Sequence, residues 1–105
     1  MNETWIDAGA ASSIPPEDVK PFDHDGKYYA LYRTADDRYF ATDDLCTREY
    51  AELADGFVQG TTIECPLHNG RFDFVTGEAK GAPACVNLVT YPVKVEGGRI
   101  FLKLG

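Results

Sequence analysis

The sequence predicts an all-β fold built from short antiparallel strands. Three observations lead there: apolar and aromatic residues gather in short runs, turn residues interrupt those runs at regular intervals, and little of the chain reads as helix. At 105 residues the chain is expected to form one domain spanning positions 1–105, with a modest core to whose stability a bound cofactor could add. A compact antiparallel barrel or sandwich is the expected architecture.

Thr4 to Ala8 reads as the first strand, and Ala10 to Glu17 as a loop, because Ser12-Ser13-Ile14-Pro15-Pro16 cannot continue a ladder. A second strand near Val19 to Phe22 leads to Asp25-Gly26, a two-residue hairpin signal of type I′. Tyr28 to Arg33 follows as a strand, Asp36-Asp37 as a turn, and Arg38 to Thr42 as its partner. Tyr50 to Leu53 reads as a helical turn broken by Asp55-Gly56, and Thr61 to Glu64 as a strand ending at Cys65. Arg71 to Phe74 alternates as a strand, Thr76-Gly77 turns, and Gly81-Ala82-Pro83 is loop. Leu88 to Glu96 reads as one longer strand, hairpinned through Gly97-Gly98 onto Arg99 to Lys103. The sequence contains no repeat, linker or low-complexity segment.

Ten Lys plus Arg against seventeen Asp plus Glu give a net charge of −7, which argues against nucleic acid or an anionic membrane as the main partner. An acidic surface suits a basic protein partner or serves solubility alone. No apolar run approaches the roughly 20 residues needed to span a bilayer, and Met1 to Trp5 lacks a signal-peptide pattern. A cytoplasmic location is expected. Three cysteines do not make a disulfide framework, and the placement of two of them suits metal binding in a reducing compartment.

Those two cysteines lie in the clusters that carry the chemistry, Cys46-Thr47-Arg48 and Cys65-Pro66-Leu67-His68, with eighteen residues between the cysteines. Each cluster follows a predicted strand. Thiolates are soft, negatively charged ligands for iron or zinc, and the two-residue gap after Cys65 lets one tight turn aim Cys65 and His68 at one centre. A zinc site normally takes four Cys or His ligands, whereas these loops offer Cys46, Cys65 and His68, so zinc or mononuclear iron is an incomplete fit. His24, the other histidine, falls in a hairpin turn and reads as solvated. No catalytic constellation competes: Ser12 and Ser13 lack an adjacent base, and no phosphate-cradling glycine motif occurs.

The two loops, with Leu45-Cys46-Thr47, Glu49 to Leu53, Arg71-Phe72-Asp73, Thr76-Gly77, Ala82-Pro83-Ala84 and Tyr91-Pro92-Val93, resemble the Rieske proteins over nearly the whole chain. Such proteins hold a [2Fe–2S] cluster on Cys-x-His and Cys-x-x-His loops, with both histidines on one iron. The resemblance is strongest to the soluble Rieske ferredoxins of bacterial aromatic-ring-hydroxylating systems. It implies a small fold of antiparallel sheets with two cluster-binding loops and one [2Fe–2S] cluster per chain. By position, Cys46 and Cys65 bind the inner iron and His68 the outer iron. Arg48 stands where the second histidine belongs.

A guanidinium offers five donors and no lone pair, so it is a poor ligand unless deprotonated. Four arrangements stay open: Arg48 ligates in a deprotonated form, water or a carboxylate takes the position, the site is reduced to a lesser metal site, or it is empty. Two ferric ions, two sulfides and two thiolates sum to zero charge. A guanidinium beside the cluster would therefore raise its potential, and hydroxide or a carboxylate would lower it. Respiratory Rieske proteins carry a disulfide between the loops and Ser and Tyr donors to sulfur. The corresponding positions here, Ala51, Leu67, Gly70 and Phe72, supply neither, which implies a potential toward the low end of the Rieske range, near about −150 mV.

The function that the resemblance implies is one-electron transfer from a flavin-dependent ferredoxin reductase to a terminal ring-hydroxylating oxygenase. The chain would be a monomeric component of a multicomponent oxygenase in aromatic hydrocarbon breakdown, not itself an enzyme. A second reading is a Rieske-like structural or interaction subunit, of the nitrite-reductase small-subunit type, with a retired site. Cys85 reads as a buried structural cysteine. Tyr28, Tyr29, Tyr32, Phe72, Phe74 and Tyr91 are expected in the core rather than on a base-stacking surface. Asp43, Asp44, Glu49, Glu52 and Asp55 are expected to rim the exposed side of the site, as docking charges or as solvated ones.

Overall fold

A computed structural model describes residues 5–46, 51–66, 70–80 and 86–104. The ten strands are β1 (Trp5–Ala10), β2 (Asp18–His24), β3 (Lys27–Arg33), β4 (Tyr39–Asp43), β5 (Phe57–Gln59), β6 (Thr62–Glu64), β7 (Arg71–Asp73), β8 (Thr90–Tyr91), β9 (Val93–Glu96) and β10 (Arg99–Lys103). They form three antiparallel sheets, ordered β1-β10-β9, β2-β3-β4-β8 and β5-β6-β7. Helical structure among the described residues is limited to 3₁₀ turns at Ala11–Ser13 and Leu53–Asp55. No helix among them is long and apolar enough to cross a membrane.

The four-stranded sheet lies between two cores, which explains why β3 shows no polar alternation. Tyr29, Ala30, Leu31 and Tyr32 are all buried, and successive residues face opposite sides. Ala30 and Tyr32 join Val19, Leu53, Ile63, Phe72, Phe74, Cys46 and Cys65 in one core. Leu31 joins Ala8, Ile14, Ala41, Ile100 and Leu102 in the other. The Tyr32 ring stacks on Phe74 with centroids 4.3 Å apart and 3° between planes, and its buried hydroxyl bonds Thr42 Oγ1 at 2.9 Å. Pro21 is tolerated in β2 because β2 is a sheet edge. The Asp25-Gly26 turn takes positive φ at both residues, as type I′ requires.

Two expectations are corrected. Leu88 to Glu96 is not one strand: β8 pairs with β4, β9 pairs with β10, and Pro92 separates them, lacking the N–H to carry a single ladder across. The unforeseen β5 pairs with β6 through a turn at Gly60-Thr61. The 3₁₀ turn falls at Leu53–Asp55, with the Tyr50 end of the expected helical turn outside the described residues.

Two stretches launch the expected ligand loops. Beyond β4, Asp44 to Cys46 pair back on Ala51 to Leu53: Cys46 N–H donates to Ala51 O (2.9 Å), Leu45 bridges Glu52, and Leu53 N–H donates to Asp44 O (2.7 Å). The buried Asp44 carboxylate adds a side-chain bond, accepting from Ala54 N–H at 2.9 Å. The β6–β7 hairpin repeats the arrangement, with Cys65 N–H donating to Gly70 O at 2.7 Å. Gly56 brings the two stretches together, since a Cβ there would lie 2.1 Å from the carbonyl oxygen of Glu64, the residue before Cys65.

Gly56→Ala should therefore displace β6 and lower the thermal midpoint, and a midpoint within a degree of wild type would contradict the close approach. Asp44→Ala should destabilise by about 1–3 kcal/mol by stranding the Ala54 N–H, whereas Asp44→Asn keeps an acceptor there and should recover most of that loss in denaturant unfolding.

Candidate metal centre

Cys65 is fully buried and Cys46 is 4 % exposed, and both lie in the core formed by Ala51, Leu53, Ile63, Phe72 and Leu88. Each is the first residue of a loop whose base is closed by its own N–H, so backbone hydrogen bonds from two sheets hold two sulfurs in one dry region. A buried thiolate pair without a cation carries a large desolvation penalty. A metal centre removes that penalty, and thiolate donors select iron–sulfur clusters or zinc over hard cations such as magnesium or calcium. The two cysteines thus fit the inner half of a cluster site.

Arg48 and His68 lie outside the described residues, as do Thr47, Glu49, Tyr50, Leu67 and Asn69 around them and Cys85 with Ala82-Pro83-Ala84. The structure brings together Cys46 and Cys65 of the expected set. His24 is the last residue of β2 rather than a solvated turn residue: it is half-buried, stacks on Phe22 with centroids 6.3 Å apart, and places Nε2 3.5 Å from Asp25 Oδ2.

The electrostatics beside the first loop differ from the expected solvated rim. Asp44 is not on the rim: its side chain is 1 % exposed, and Oδ2 has no hydrogen-bond partner among the described residues. Burial pushes its carboxyl up to about 6, and the charges of Glu52 and Asp55 push the same way against the Ala54 N–H. Among the described residues Glu52 is exposed and Asp55 is the charged end of the 3₁₀ turn. Asp43 is held by two groups: Tyr91 Oη donates to its Oδ1 at 2.5 Å and Lys27 Nζ lies 3.0 Å from the same oxygen. Lys27 also donates to Tyr91 Oη at 3.0 Å and sits over the Tyr29 and Tyr91 rings, and these two hydrogen bonds raise its affinity for a proton.

This Lys27–Asp43–Tyr91 cluster anchors the end of β4 three residues before Cys46, and sequence reasoning missed it. The readable signal was the pair Asp43-Asp44 between a strand and a ligand-type cysteine, a place where Asp side chains commonly bond local backbone. Tyr28 is also corrected: its ring is exposed, because it stands where β3 begins, beyond the cover of either core. Tyr29, Tyr32, Phe72 and Phe74 are buried as expected, and Tyr91 is half-buried.

Comparison with known proteins agrees with this geometry. A family model described as the Rieske [2Fe-2S] domain matches residues 4–92. The ferredoxin component of a naphthalene 1,2-dioxygenase system from Pseudomonas aeruginosa is 51 % identical over 104 residues, covering 99 % of both chains. Among solved structures, the Sphingomonas yanoikuyae B1 ferredoxin superposes with a TM-score of 0.90 at 34 % identity, covering 97 % of this chain and 100 % of that one. A chain in the complex of reduced oxygenase and oxidized ferredoxin of carbazole 1,9a-dioxygenase superposes with a TM-score of 0.89 at 34 % identity, covering 97 % and 94 %. Two buried cysteines on separately closed loops, in an antiparallel fold shared with these proteins, place the chain in the Rieske [2Fe-2S] domain family.

Proposed function

We propose that this chain is a one-electron carrier that takes electrons from a flavin-dependent reductase and delivers them to a terminal ring-hydroxylating oxygenase. The observation that carries the reading is the pair of buried cysteines, each at the base of a backbone-closed loop, in a chain half identical to a dioxygenase ferredoxin along its whole length. A [2Fe–2S] cluster supplies reversible one-electron chemistry when bound. Cys46 and Cys65 would hold its inner iron and His68 its outer iron.

The residues around the thiols exclude water rather than do chemistry. Ala51, Phe72 and Leu53 wall the cysteines, and none has a side-chain donor for sulfur. Without Ser or Tyr donors at Ala51, Leu67, Gly70 and Phe72 the reduced state is less stabilised, so the potential belongs toward the low end of the Rieske range. That suits delivery to an oxygenase. Arg48 takes the place of the second histidine, and its guanidinium sets the outer position either by its charge or by leaving that position to water or a carboxylate.

With a flavin reductase, NADH and a ring-hydroxylating oxygenase present, adding the carrier should start substrate-dependent turnover. No turnover with a carrier that retains its visible spectrum would reject the role. Replacing Arg48→His should increase cluster occupancy and shift the midpoint potential. A downward shift identifies Arg48 as a cation beside the cluster, and an upward shift identifies hydroxide or a carboxylate in its place. An unchanged occupancy and potential would contradict the placement of Arg48 at the outer iron.

A further inference from the structure

The outer face of the β5-β6-β7 sheet carries a cationic pair that neither the core nor the cluster loops use. Residues alternate across this sheet, with Val58, Ile63 and Phe72 packed inward and Phe57, Gln59, Thr62, Glu64, Arg71 and Asp73 on the other face. Lys80 extends the row beyond β7, since its N–H donates to Arg71 O at 2.8 Å. Arg71, Lys80, Gln59 and Thr62 line a surface groove of about 290 Å³. Its walls thus offer a guanidinium fork, an ammonium, an amide and a hydroxyl.

Arg71 is unlike the other arginines among the described residues. Arg33, Arg38 and Arg99 each hold a carboxylate, at 2.7, 3.2 and 2.9 Å respectively. Arg71 makes no ion pair among the described residues, although Glu64 stands opposite it in register. Lys80 has only a loose one, 3.9 Å from Glu78. Like charges on neighbouring segments repel, so the fold gains nothing from setting Arg71 beside Lys80. An oxyanion between them would remove the repulsion and satisfy the fork.

Its position indicates which oxyanion. Gly70, the residue before Arg71, closes the second ligand loop by accepting from Cys65 N–H. A group bound at Arg71 therefore sits at the base of the loop that carries Cys65 and the expected ligand His68. Building on the carrier role proposed above, we infer that the Arg71–Lys80 groove receives an acidic side chain of the terminal oxygenase and so fixes the orientation in which the carrier docks. On a chain of net charge −7, and with Glu64 and Glu78 beside them, Arg71 and Lys80 give the interface a polarity that acidic residues alone would not supply.

The test uses the cluster-loaded carrier and the oxygenase, with turnover measured against carrier concentration at low and high salt. In Arg71→Gln with Lys80→Gln, the KM for the carrier should rise about five- to tenfold at low ionic strength, with kcat and midpoint potential unchanged. The difference should close above about 0.5 M salt, where exposed charges are screened. The charge-retaining double variant Arg71→Lys with Lys80→Arg should lie between the two. Equal KM and salt dependence in wild type and the Gln variant, with both carriers active and spectrally intact, would overturn the inference alone. An inactive wild type would remove the carrier role and the inference together.

Discussion

Two backbone hydrogen bonds, from Cys46 N–H to Ala51 O and from Cys65 N–H to Gly70 O, are the constraint on which the rest of the molecule depends. Each closes the base of a loop and places its cysteine in the core. One bond of this kind contributes only about 0.5–1.5 kcal/mol net, too little to hold a loop alone. The bonds matter because each continues a pairing already built: β4 runs into the Asp44 to Cys46 segment, and β6 and β7 run into the second loop. Cys46 and Cys65 thus stand on extensions of sheet ladders.

The four-stranded sheet supplies the rigidity behind them. With β3 buried on both faces, one core locks it to β1, β9 and β10 and the other to the cysteine-bearing segments. Tyr32 joins these levels in one residue: its ring stacks on Phe74 in the cysteine core, and its hydroxyl reaches Thr42 on β4, the strand that delivers Cys46. On the same strand end, Lys27 and Tyr91 hold Asp43, and Asp44 turns inward to the Leu53–Asp55 turn. A carrier must exchange an electron without rearranging, and a cysteine pair seated in one core against a sheet fixed from both faces meets that demand.

What could be read from the residues follows from the range of the interactions involved. The hairpin at Asp25-Gly26, the strands around it and the two cysteine loops are written in local chemistry, through turn residues, alternation and donor spacing. The break at Pro92 was legible in principle, since proline cannot carry a ladder, but the apolar run around it hid the change of sheet. β5 was missed because three residues between Gly56 and Gly60 carry almost no pattern and form a strand only by pairing with β6. The Asp43-Asp44 pair before Cys46 is a local signal, but the partners it finds, Ala54, Lys27 and Tyr91, are up to 64 positions apart in their contacts and are not encoded locally. Cys46 and Cys65 emerged as a buried pair, whereas Arg48 and His68 lie outside the described residues.

Iron and acid-labile sulfide analysis of anaerobically purified protein, for wild type and for Cys65→Ser, tests the assignment of the two buried cysteines to half of a [2Fe–2S] site. Two irons and two sulfides per chain at full loading are predicted for the wild type, with both lost together in the variant. Iron or zinc without sulfide in the wild type, or sulfide retained when Cys65 is replaced, would contradict it.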